Sequence, residues 1–427
     1  MKKWVLGVLF SLGLFPDNRA WATSSELDPK NTITVIAGVL EWKDQSLSSF
    51  SKVRRKDQEL DQVFASMGVP QSQRTLLLDS QAKTSQVRKA IQAAVQKATQ
   101  GSTLIFYFAG HGVRREQKII FATQDIDTSQ ALETGLTLDE LTLLLKPFKG
   151  ARVLLMADCC YSGGLIEVAK ALNTKNVSVT ALTSAEASNA STENWTFTQN
   201  VIDALRGRAH LDHDHDGKIS LGDLAKEIRD AMKFREGQRM GWSDPGKNHD
   251  LVLASSKGEA FLEEVKWVRA SDGQSSGLRT ARILQARSNR SGEKDLFLAF
   301  YDYADESRFW VSQKKVKTFD VKTWPIGTHL SVTWGKEVFE AIVQSIDGPF
   351  MQITYPGWSA IWDEWITSSR VVGLFQGSPP KNVKVEWKGK WYDAVVLRKE
   401  GELFCIHYVG FDDSWDECVE ASRVKSE

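Results

Sequence analysis

Cysteine is scarce in this chain, and neither sign of charge is in excess. Its 427 residues include four cysteines, Cys159, Cys160, Cys405 and Cys418, which are too few for a disulfide scaffold. Lysine and arginine number 54 together, as do aspartate and glutamate, so the formal net charge is zero. This balance gives no overall attraction to nucleic acid or to an anionic membrane, and we expect no nucleic-acid partner.

Long hydrophobic runs are absent beyond the N-terminus, and the run found there is short. Lys2 and Lys3 precede an apolar stretch over residues 4–15, and residues 20–22 (Ala-Trp-Ala) have the form of a cleavage site. The stretch is too short to span a bilayer. We therefore expect residues 1–22 to be a signal peptide. The mature chain is expected to have no membrane span and to be exported, periplasmic or secreted from a bacterial-type cell.

Apolar strand-like runs alternate with segments of helical periodicity between residues 30 and 260. Strands are predicted over 33–40, 75–78, 104–109, 153–157 and 250–254, and helices over 57–67, 85–98 and 138–145. An alternation of this kind predicts a mostly parallel α/β sheet with helices on both faces. The composition changes after residue 260, because ten of the fifteen tryptophans follow it.

Two of the predicted strands end in residues that can catalyse hydrolysis. One runs into His111 and Gly112, and the other into Cys159 and Cys160 before a Gly-rich turn. Open α/β sheets place their sites at the carboxyl ends of parallel strands. A histidine beside a cysteine can accept the thiol proton and return it to the leaving group, and N–H groups of the turn can bind the oxyanion. The pair therefore indicates a cysteine hydrolase.

Both motifs resemble those of the caspase, metacaspase and paracaspase clan of cysteine peptidases. The motifs are Phe-Ala-Gly-His-Gly at 108–112 and Asp-Cys-Cys-Tyr-Ser-Gly at 158–163, within a resemblance that spans about residues 32–256. It implies a caspase-like α/β fold, His111 as base and Cys160 as nucleophile. The N–H groups of Gly112 and Cys160 would form the oxyanion hole. Cys160 is preferred over Cys159 because the family places its nucleophile two residues after the Asp. Tyr161 stands where metacaspases often carry histidine.

The resemblance also implies a preference in the substrate pocket. Asp158 matches an acid that lines the P1 pocket of metacaspases, and Asp57 matches the second such acid. Two carboxylates favour a guanidinium or ammonium group, which predicts cleavage after Arg or Lys. Two alternatives stay open: Arg54 or Arg55 forms a pocket for Asp, or these residues and Asp57 are a solvated helix start.

Residues 212–223 fit the spacing of an EF-hand calcium loop, with Gly217 at its turn. Asp223 replaces the usual Glu, which should weaken calcium binding or favour magnesium. Ca²⁺ is predicted as a structural or activating ion, and none is needed for catalysis. The alternative is an acidic turn that stabilises a helix start. His213 and His215 alternate with the ligands and are expected to face solvent. The predicted ligand residues are Asp212, Asp214, Asp216, Lys218, Ser220 and Asp223.

The C-terminal part contains an internal repeat. Residues 334–371 align with 387–424 without a gap, and a degenerate copy begins at Trp267. Short alternating strands predict a row of small all-β barrels. The repeats resemble tudor-knot and chromo-barrel modules, a family linked to binding methylated tails or nucleic acids through aromatic cages. For an exported chain we expect a protein or envelope ligand, while core packing is the alternative. The candidate partner-binding residues are Trp334, Tyr355, Trp358, Trp362, Trp387, Tyr408, Phe411 and Trp415.

The sequence therefore predicts an exported caspase-like cysteine endopeptidase that acts on polypeptides. The competing hypothesis is a catalytically weak or inactive scaffold of the same fold that acts as a binding protein. Cys405 and Cys418 flank a predicted hairpin turn and either form a bridge or remain thiols. The predicted domains are a signal peptide (1–22), a caspase-like domain (30–260) and three tudor-like barrels (263–320, 326–374 and 379–427).

Overall fold

The structure is a computed structural model that describes most of the chain. The predicted signal peptide and Arg54 lie outside the described residues. The described residues are 25–53, 55–185, 194–236, 238–257, 267–271, 278–300, 308–318, 322–334, 337–347, 350–358, 362–375, 382–400, 403–411 and 415–426.

The N-terminal part is built from seven helices and eleven strands among the described residues. The helices are α1 (Lys56–Met67), α2 (Thr84–Lys97), α3 (Ala131–Thr134), α4 (Leu138–Leu145), α5 (Leu165–Leu172), α6 (Thr196–Leu205) and α7 (Leu221–Arg235). The strands are β1 (Thr32–Gly38), β2 (Arg74–Leu78), β3 (Thr103–Ala109), β4 (Gly112–Arg115), β5 (Lys118–Phe121), β6 (Leu136–Thr137), β7 (Arg152–Asp158), β8 (Ser178–Thr183), β9 (Lys218–Ser220), β10 (Gly241–Ser243) and β11 (Val252–Ser255).

A six-stranded sheet in the order β10-β8-β7-β3-β1-β2 forms the centre of this part. Five of its strands are parallel, and only β10, paired with β8, is antiparallel. Every residue of β1, β3 and β7 is buried, as expected for strands that are covered on both faces. The predicted mostly parallel α/β sheet is confirmed.

Each face of the sheet has its own hydrophobic core, because successive side chains of a strand point to opposite faces. Phe106 and Phe108 of β3 join the core that contains residues of α2, α4 and α5. Ile105 and Tyr107 join the other core, with residues of α1, α6 and α7. The described residues contain no helix that is long and apolar enough to cross a membrane.

Three five-stranded antiparallel sheets follow the α/β part. Their orders are β15-β14-β13-β12-β16, β20-β19-β18-β17-β21 and β25-β24-β23-β22-β26. Their strands are β12 (Trp267–Ala270), β13 (Arg279–Ser288), β14 (Lys294–Phe300), β15 (Arg308–Ser312), β16 (Lys317–Thr318), β17 (His329–Trp334), β18 (Glu337–Asp347), β19 (Phe350–Thr354), β20 (Glu364–Thr367), β21 (Val371–Leu374), β22 (Asn382–Trp387), β23 (Lys390–Glu400), β24 (Leu403–Tyr408), β25 (Glu417–Glu420) and β26 (Val424–Ser426).

The three sheets share one topology, so the repeat is structural as well as sequential. The second strand of each sheet is long and shifts register against the third, at Ile283/Gln285, Val343/Ser345 and Val396/Arg398. Such a bulge bends the strand. An α/β part followed by all-β modules confirms the predicted fold class.

A disulfide joins the last two cysteines. Cys405 on β24 and Cys418 on β25 face each other in register and are bonded. Of the two states that the sequence left open, the structure therefore contains the bridge.

Helix α7 contacts the first and second sheets. Its buried Glu227 accepts two hydrogen bonds from Arg282 of β13, at 2.9 and 2.8 Å. Its Lys233 pairs with Asp347 of β18 at 2.7 Å and lies 3.4 Å from the ring centroid of Trp365 on β20. The first and second sheets are thus both attached to one helix.

Candidate active site

The strands that precede the two motifs are neighbours in the sheet. β3 and β7 are parallel and in register, so that Ala109 lies opposite Asp158. The Gly110 N–H also donates to the Asp158 carbonyl at 3.4 Å. His111 and Cys160 each follow two residues after this matched pair, and the structure therefore brings them to the same edge of the sheet.

The His111–Gly112 turn lies directly on the nucleophile turn. A Cβ atom at Gly112 would come within 1.8 Å of the Cys160 carbonyl oxygen, so only glycine fits. The Ala122 N–H donates to the His111 carbonyl at 2.9 Å, which makes Gly112 and Phe121 a pair without hydrogen bonds in the β4–β5 ladder. The Gly112 N–H therefore points away from β5, as an oxyanion donor requires.

The two adjacent cysteines have different environments. Cys159 is 1% exposed and belongs to the core. Burial, followed by the proximity of Cys160 and Asp158, raises the pKa of its thiol well above the usual range. Cys160 is half-buried. Tyr161 has a left-handed backbone with φ 56°, which is rare for an aromatic residue and typical of strained functional turns.

The His111 ring is held by the segment that follows β1. Its Nε2 lies 2.9 Å from the Ser48 carbonyl oxygen, and since a carbonyl can only accept, Nε2 carries the proton. Nδ1 is then the nitrogen that can exchange a proton with a thiol. The rings of Trp42 and Phe50 also pack against the imidazole. Sequence reasoning missed this segment, which has no catalytic motif.

Asp57 is a buried ion-pair partner at the start of α1. Its side chain is 0% exposed, and Arg55 donates to both of its oxygens at 2.8 and 2.7 Å. Arg55 also pairs with Asp79 at 2.8 Å. The alternative of a solvated helix start is therefore wrong for Arg55 and Asp57. Gly38 must be glycine, because its Cβ would lie 1.7 Å from Asp57 Oδ2.

Asp158 lies on the same face of the sheet as Asp57. Gly38, Ala109 and Asp158 are matched across β1, β3 and β7, so Gly38 and Asp158 are about 10 Å apart at the usual strand spacing. Thr198 donates to Asp158 Oδ2 from its hydroxyl at 2.6 Å and from its backbone N–H at 3.4 Å. Burial outweighs these hydrogen bonds and raises the pKa of Asp158 to about 6.

The buried side chain of Tyr107 is influenced by the charges of both carboxylates. Its hydroxyl lies 2.6 Å from Thr198 Oγ1. Because the Thr198 hydroxyl donates its hydrogen to Asp158, Tyr107 is the donor in this contact. Burial, followed by the negative charges of Asp158 and Asp57, raises the pKa of Tyr107 well above its usual range. Tyr107 is therefore protonated at neutral pH and donates to Thr198.

Three of the predicted metal ligands come together in the acidic loop. Carboxylate oxygens of Asp212, Asp214 and Asp216 lie within 4.8 Å of one another. Asp212 is 5% exposed, and its Oδ1 is buried with no hydrogen-bond partner among the described residues. A buried carboxylate oxygen without a donor is costly, and a cation would satisfy it. Gly217 at the turn has φ 83°.

The remaining predicted ligand residues lie in a helix cap or on a β-strand. Asp223 forms a capping box with Ser220 at the start of α7, and its carboxylate is not part of the three-residue group. Lys218 and Ser220 lie on β9, which pairs with β11. The expectation that His213 faces solvent is wrong, because its Nε2 packs 3.3 Å from Glu227 Oε2 and its side chain is 10% exposed.

The predicted partner-binding aromatics form clusters on the second and third sheets. In the second sheet the ring centroids of Trp334, Tyr355, Trp358 and Trp362 are 5.4 to 6.3 Å apart around a closed circuit. Trp334 and Trp362 are exposed, whereas Tyr355 is buried.

The third sheet repeats the cluster, with Tyr392 in the place of Phe339, which packs against Tyr355 and Trp358 in the second sheet. Trp387, Trp415, Phe411 and Tyr408 follow one another at 5.6 to 6.1 Å, and Tyr392 closes the circuit. Sequence reasoning missed Tyr392, although the repeat aligns it with another aromatic residue, Phe339. The hydroxyls of Tyr355 and Tyr408 donate to Glu364 and Glu417. Arg370 and Arg423 pair with these glutamates.

The raised pKa of Asp158 predicts a pH dependence of stability. Its pKa is about 6 in the folded chain against an ordinary 3.8, so the folded state binds the proton more tightly. Its contribution is therefore greatest below pH 4 and is lost as pH rises to 6, by about 3 kcal/mol. Urea unfolding of the wild type and of Asp158→Asn at pH 4 and pH 7 measures the difference. A stability difference between the two proteins that does not change with pH would contradict it.

Comparisons with known proteins agree with the architecture of the α/β part. A family model described as "Caspase domain" matches residues 54–252. No curated protein matches the sequence. Among solved structures, a Geobacter sulfurreducens protein from structural genomics is similar at 15% identity, with 53% of this chain and 100% of that chain covered and a TM-score of 0.38.

Two Drosophila structures are also similar. The initiator caspase Dronc is 12% identical, with 58% of this chain and 96% of that chain covered and a TM-score of 0.37. The four MBT repeats of Sfmbt, solved with a methylated peptide, are 12% identical, with 44% and 68% covered and a TM-score of 0.13. Residues 54–252 match the caspase domain model, and the general activity of that family is that of a cysteine peptidase.

Proposed function

We propose that this chain is an exported caspase-like cysteine endopeptidase with His111 and Cys160 as its catalytic dyad. The packing of Gly112 against the Cys160 carbonyl carries the proposal, because it joins the two motifs at one edge of the sheet. The half-buried position of Cys160, beside a fully buried Cys159, supports Cys160 as the nucleophile. Export is inferred from residues 1–22 alone.

The reaction follows from the positions of these groups. Nδ1 of His111 accepts the Cys160 thiol proton, and the sulfur attacks the carbonyl carbon of the scissile peptide bond. The N–H groups of Gly112 and Cys160 stabilise the oxyanion. The imidazolium then protonates the leaving amine, which leaves an acyl-enzyme. Water, deprotonated by His111, hydrolyses the thioester and releases the new carboxyl terminus, and the thiol is restored.

We infer that the pocket prefers Arg or Lys at P1. The negative charge of Asp57 is compensated by Arg55, whereas Asp158 accepts hydrogen bonds from neutral donors such as Thr198. Asp158 is therefore the carboxylate whose charge a basic P1 side chain would neutralise. Because its pKa is about 6, recognition of basic substrates should strengthen as pH rises through this value.

The peptidase is tested by turnover of fluorogenic peptides with Arg, Lys or Asp at P1. We expect Arg and Lys peptides to be cleaved and Cys160→Ala to lose at least about 1,000-fold in kcat/KM. The matched control is Cys159→Ala, which should retain activity. Asp158→Asn should lower kcat/KM for Arg peptides by about 10-fold or more, the value of a charge-assisted hydrogen bond.

Each other outcome of this assay points to a different conclusion. Equal turnover by Cys160→Ala and the wild type would refute the dyad. Cleavage confined to Asp peptides would keep the peptidase and refute the basic pocket. A folded wild type that cleaves none of these peptides would favour the competing hypothesis, an inactive scaffold that acts as a binding protein.

We further propose that the acidic loop binds Ca²⁺. The three grouped aspartates and the unpartnered Asp212 oxygen support it, and the Lys218 carbonyl and the Ser220 side chain would complete the oxygen ligands. Asp223 would have to leave its helix cap to bind the ion, so we expect weak affinity and competition from Mg²⁺. The pairing of β9 with β11 supplies the support that a second loop gives in paired EF-hands.

The calcium proposal predicts a ligand-dependent melting temperature. At a concentration 100 times its Kd, calcium adds about 2.7 kcal/mol to the stability of the native state, which corresponds to a rise of several °C. Asp214→Asn, which weakens the loop but leaves the helix cap intact, should abolish the rise. A melting temperature of the wild type that does not change with calcium would refute the site.

The aromatic clusters are proposed as binding sites for a protein or envelope ligand with a cationic group. Their exposed rings support this role, since π faces attract cations within about 6 Å. The carboxylates of Glu364 and Glu417 are paired with arginines, so the rings would supply most of the attraction.

A charged probe and its uncharged isostere test the clusters. We expect tetramethylammonium to quench tryptophan fluorescence saturably, and neopentyl alcohol, similar in shape but neutral, to have no such effect. The double variant Trp362→Leu/Trp415→Leu should weaken the response about 10-fold. An equal response from the alcohol or from the double variant would refute a cation site.

A further inference from the structure

The segment between β1 and α1 forms a corner of aromatic rings around the candidate catalytic histidine. The ring centroids of Trp42 and Phe50 lie 4.5 and 4.4 Å from that of His111, with tilts of 40° and 48°. The two rings are 5.6 Å from each other and nearly perpendicular, at 87°. The imidazole is therefore in contact with two rings that are nearly perpendicular to each other, and its Nε2 is hydrogen-bonded to the Ser48 carbonyl.

Hydrogen bonds at both ends of the segment keep the rings of Trp42 and Phe50 in place. The Trp42 indole N–H donates to the Ala122 carbonyl at 2.8 Å, and the Phe50 N–H donates to the Leu40 carbonyl at 2.9 Å. Between them, Asp44 accepts from the backbone of Ser46 at 2.9 Å and of Thr128 at 2.7 Å. Trp42 is 3% exposed, so its ring cannot swing away without unfolding the segment.

A pair of fixed aromatic rings favours the charged form of a histidine. Both centroid distances are within the range of about 6 Å over which a ring quadrupole attracts a cation. Within the dyad the imidazolium forms when His111 takes the thiol proton, so the attraction acts on the thiolate–imidazolium state. The same contacts limit rotation of the ring.

Other charges near His111 are committed to partners or lie at the surface. Asp44 is held by Thr128, and Glu41 pairs with Lys52 at the surface. The titratable or charged residues on the segment 39–53, on β4 and in the turn after β7 are Glu41, Lys43, Asp44, Lys52, Arg114, Arg115, Cys159, Cys160 and Tyr161.

We propose that Trp42 and Phe50 are positioning residues that stabilise the His111 imidazolium through their rings and so favour the reactive thiolate of Cys160. The inference rests on the proposed dyad, but its effect on His111 can be measured without a substrate. Trp42 is too deeply buried for a clean substitution, so Phe50 carries the test.

The primary experiment is NMR titration of the full chain with isotope-labelled histidine, with the His111 signal assigned by His111→Asn. Phe50→Leu, which keeps apolar volume but removes the ring, should lower the imidazole pKa of His111 by about 0.5 unit. Phe50→Tyr, which restores a ring, should return the pKa to the wild-type value. Leu47→Ala is the matched control, because Leu47 packs against the same core from the same segment and contributes no ring.

The second readout is the rate at which iodoacetamide alkylates Cys160, located by mass spectrometry, as a function of pH. Phe50→Leu should shift the upper inflection of this profile down by the same amount as the NMR pKa, and Phe50→Tyr should not. The proposal is overturned if Phe50→Leu leaves the His111 pKa unchanged. It is also overturned if Leu47→Ala lowers the pKa equally, since rigidity of the segment would then be the cause.

The two readouts separate this inference from the proposed function. If Cys160 reacts as an ordinary thiol and its profile is unaffected by His111→Asn, the dyad fails. The ring effect on the His111 pKa would still be measured by NMR. If the alkylation profile shows the dyad, but Phe50→Leu and Phe50→Tyr give the same His111 pKa, the positioning role fails and the peptidase proposal stands.

Discussion

The pairing of β3 with β7 is the constraint on which the candidate active site depends. Ala109 opposite Asp158 sets His111 and Cys160 at the same level of the sheet. A slip of one residue would turn every side chain of β7 to the opposite face, and Cys159 rather than Cys160 would then reach the cleft. Every residue of both strands is buried, so the apolar runs alone do not distinguish this register from one shifted by a residue. The fit of Gly112 against Cys160 is possible only in the observed register.

Charge in this domain is arranged in compensated pairs, with Asp158 as an exception. Asp57 and Asp79 share Arg55, and Glu227 receives Arg282. Buried ions are costly unless they are paired and hydrogen-bonded. Asp158 has neutral hydrogen-bond donors instead, and its pKa is raised accordingly. A perturbed carboxyl at the end of a central strand is typical of a functional position.

Helix α7 connects three features that the sequence shows as separate. It begins at the acidic loop with the Ser220–Asp223 cap and carries Glu227 and Lys233 to the first and second sheets. His213 of the loop packs on the same Glu227. A cation in the loop would therefore act on the element to which both sheets are attached. The third sheet differs, because its disulfide stands at the positions that Gln352 and Trp365 occupy in the second.

Much of the architecture follows from local pattern. Fully apolar runs predict central strands because both faces of a parallel sheet are covered, and the gapless repeat from 334 predicts successive modules with one topology. The motifs at 108–112 and 158–163 predict which strand ends carry the chemistry. Residues such as Ser48, Trp42 and Phe50 could not be predicted, since their role depends on a loop that folds back over a histidine some sixty residues away.

The sequence by itself thus determined the order of elements, the repeat, and the residue types at the two strand ends, because periodicity and turn chemistry act over a few neighbouring residues. The tertiary structure decided which charges are compensated: Arg55 on Asp57, and His213 beside Glu227 rather than in solvent. It also decided that Cys405 and Cys418 are bonded across two strands. Such pairings depend on distances between distant segments, and only the packing of the sheets and helices sets those distances.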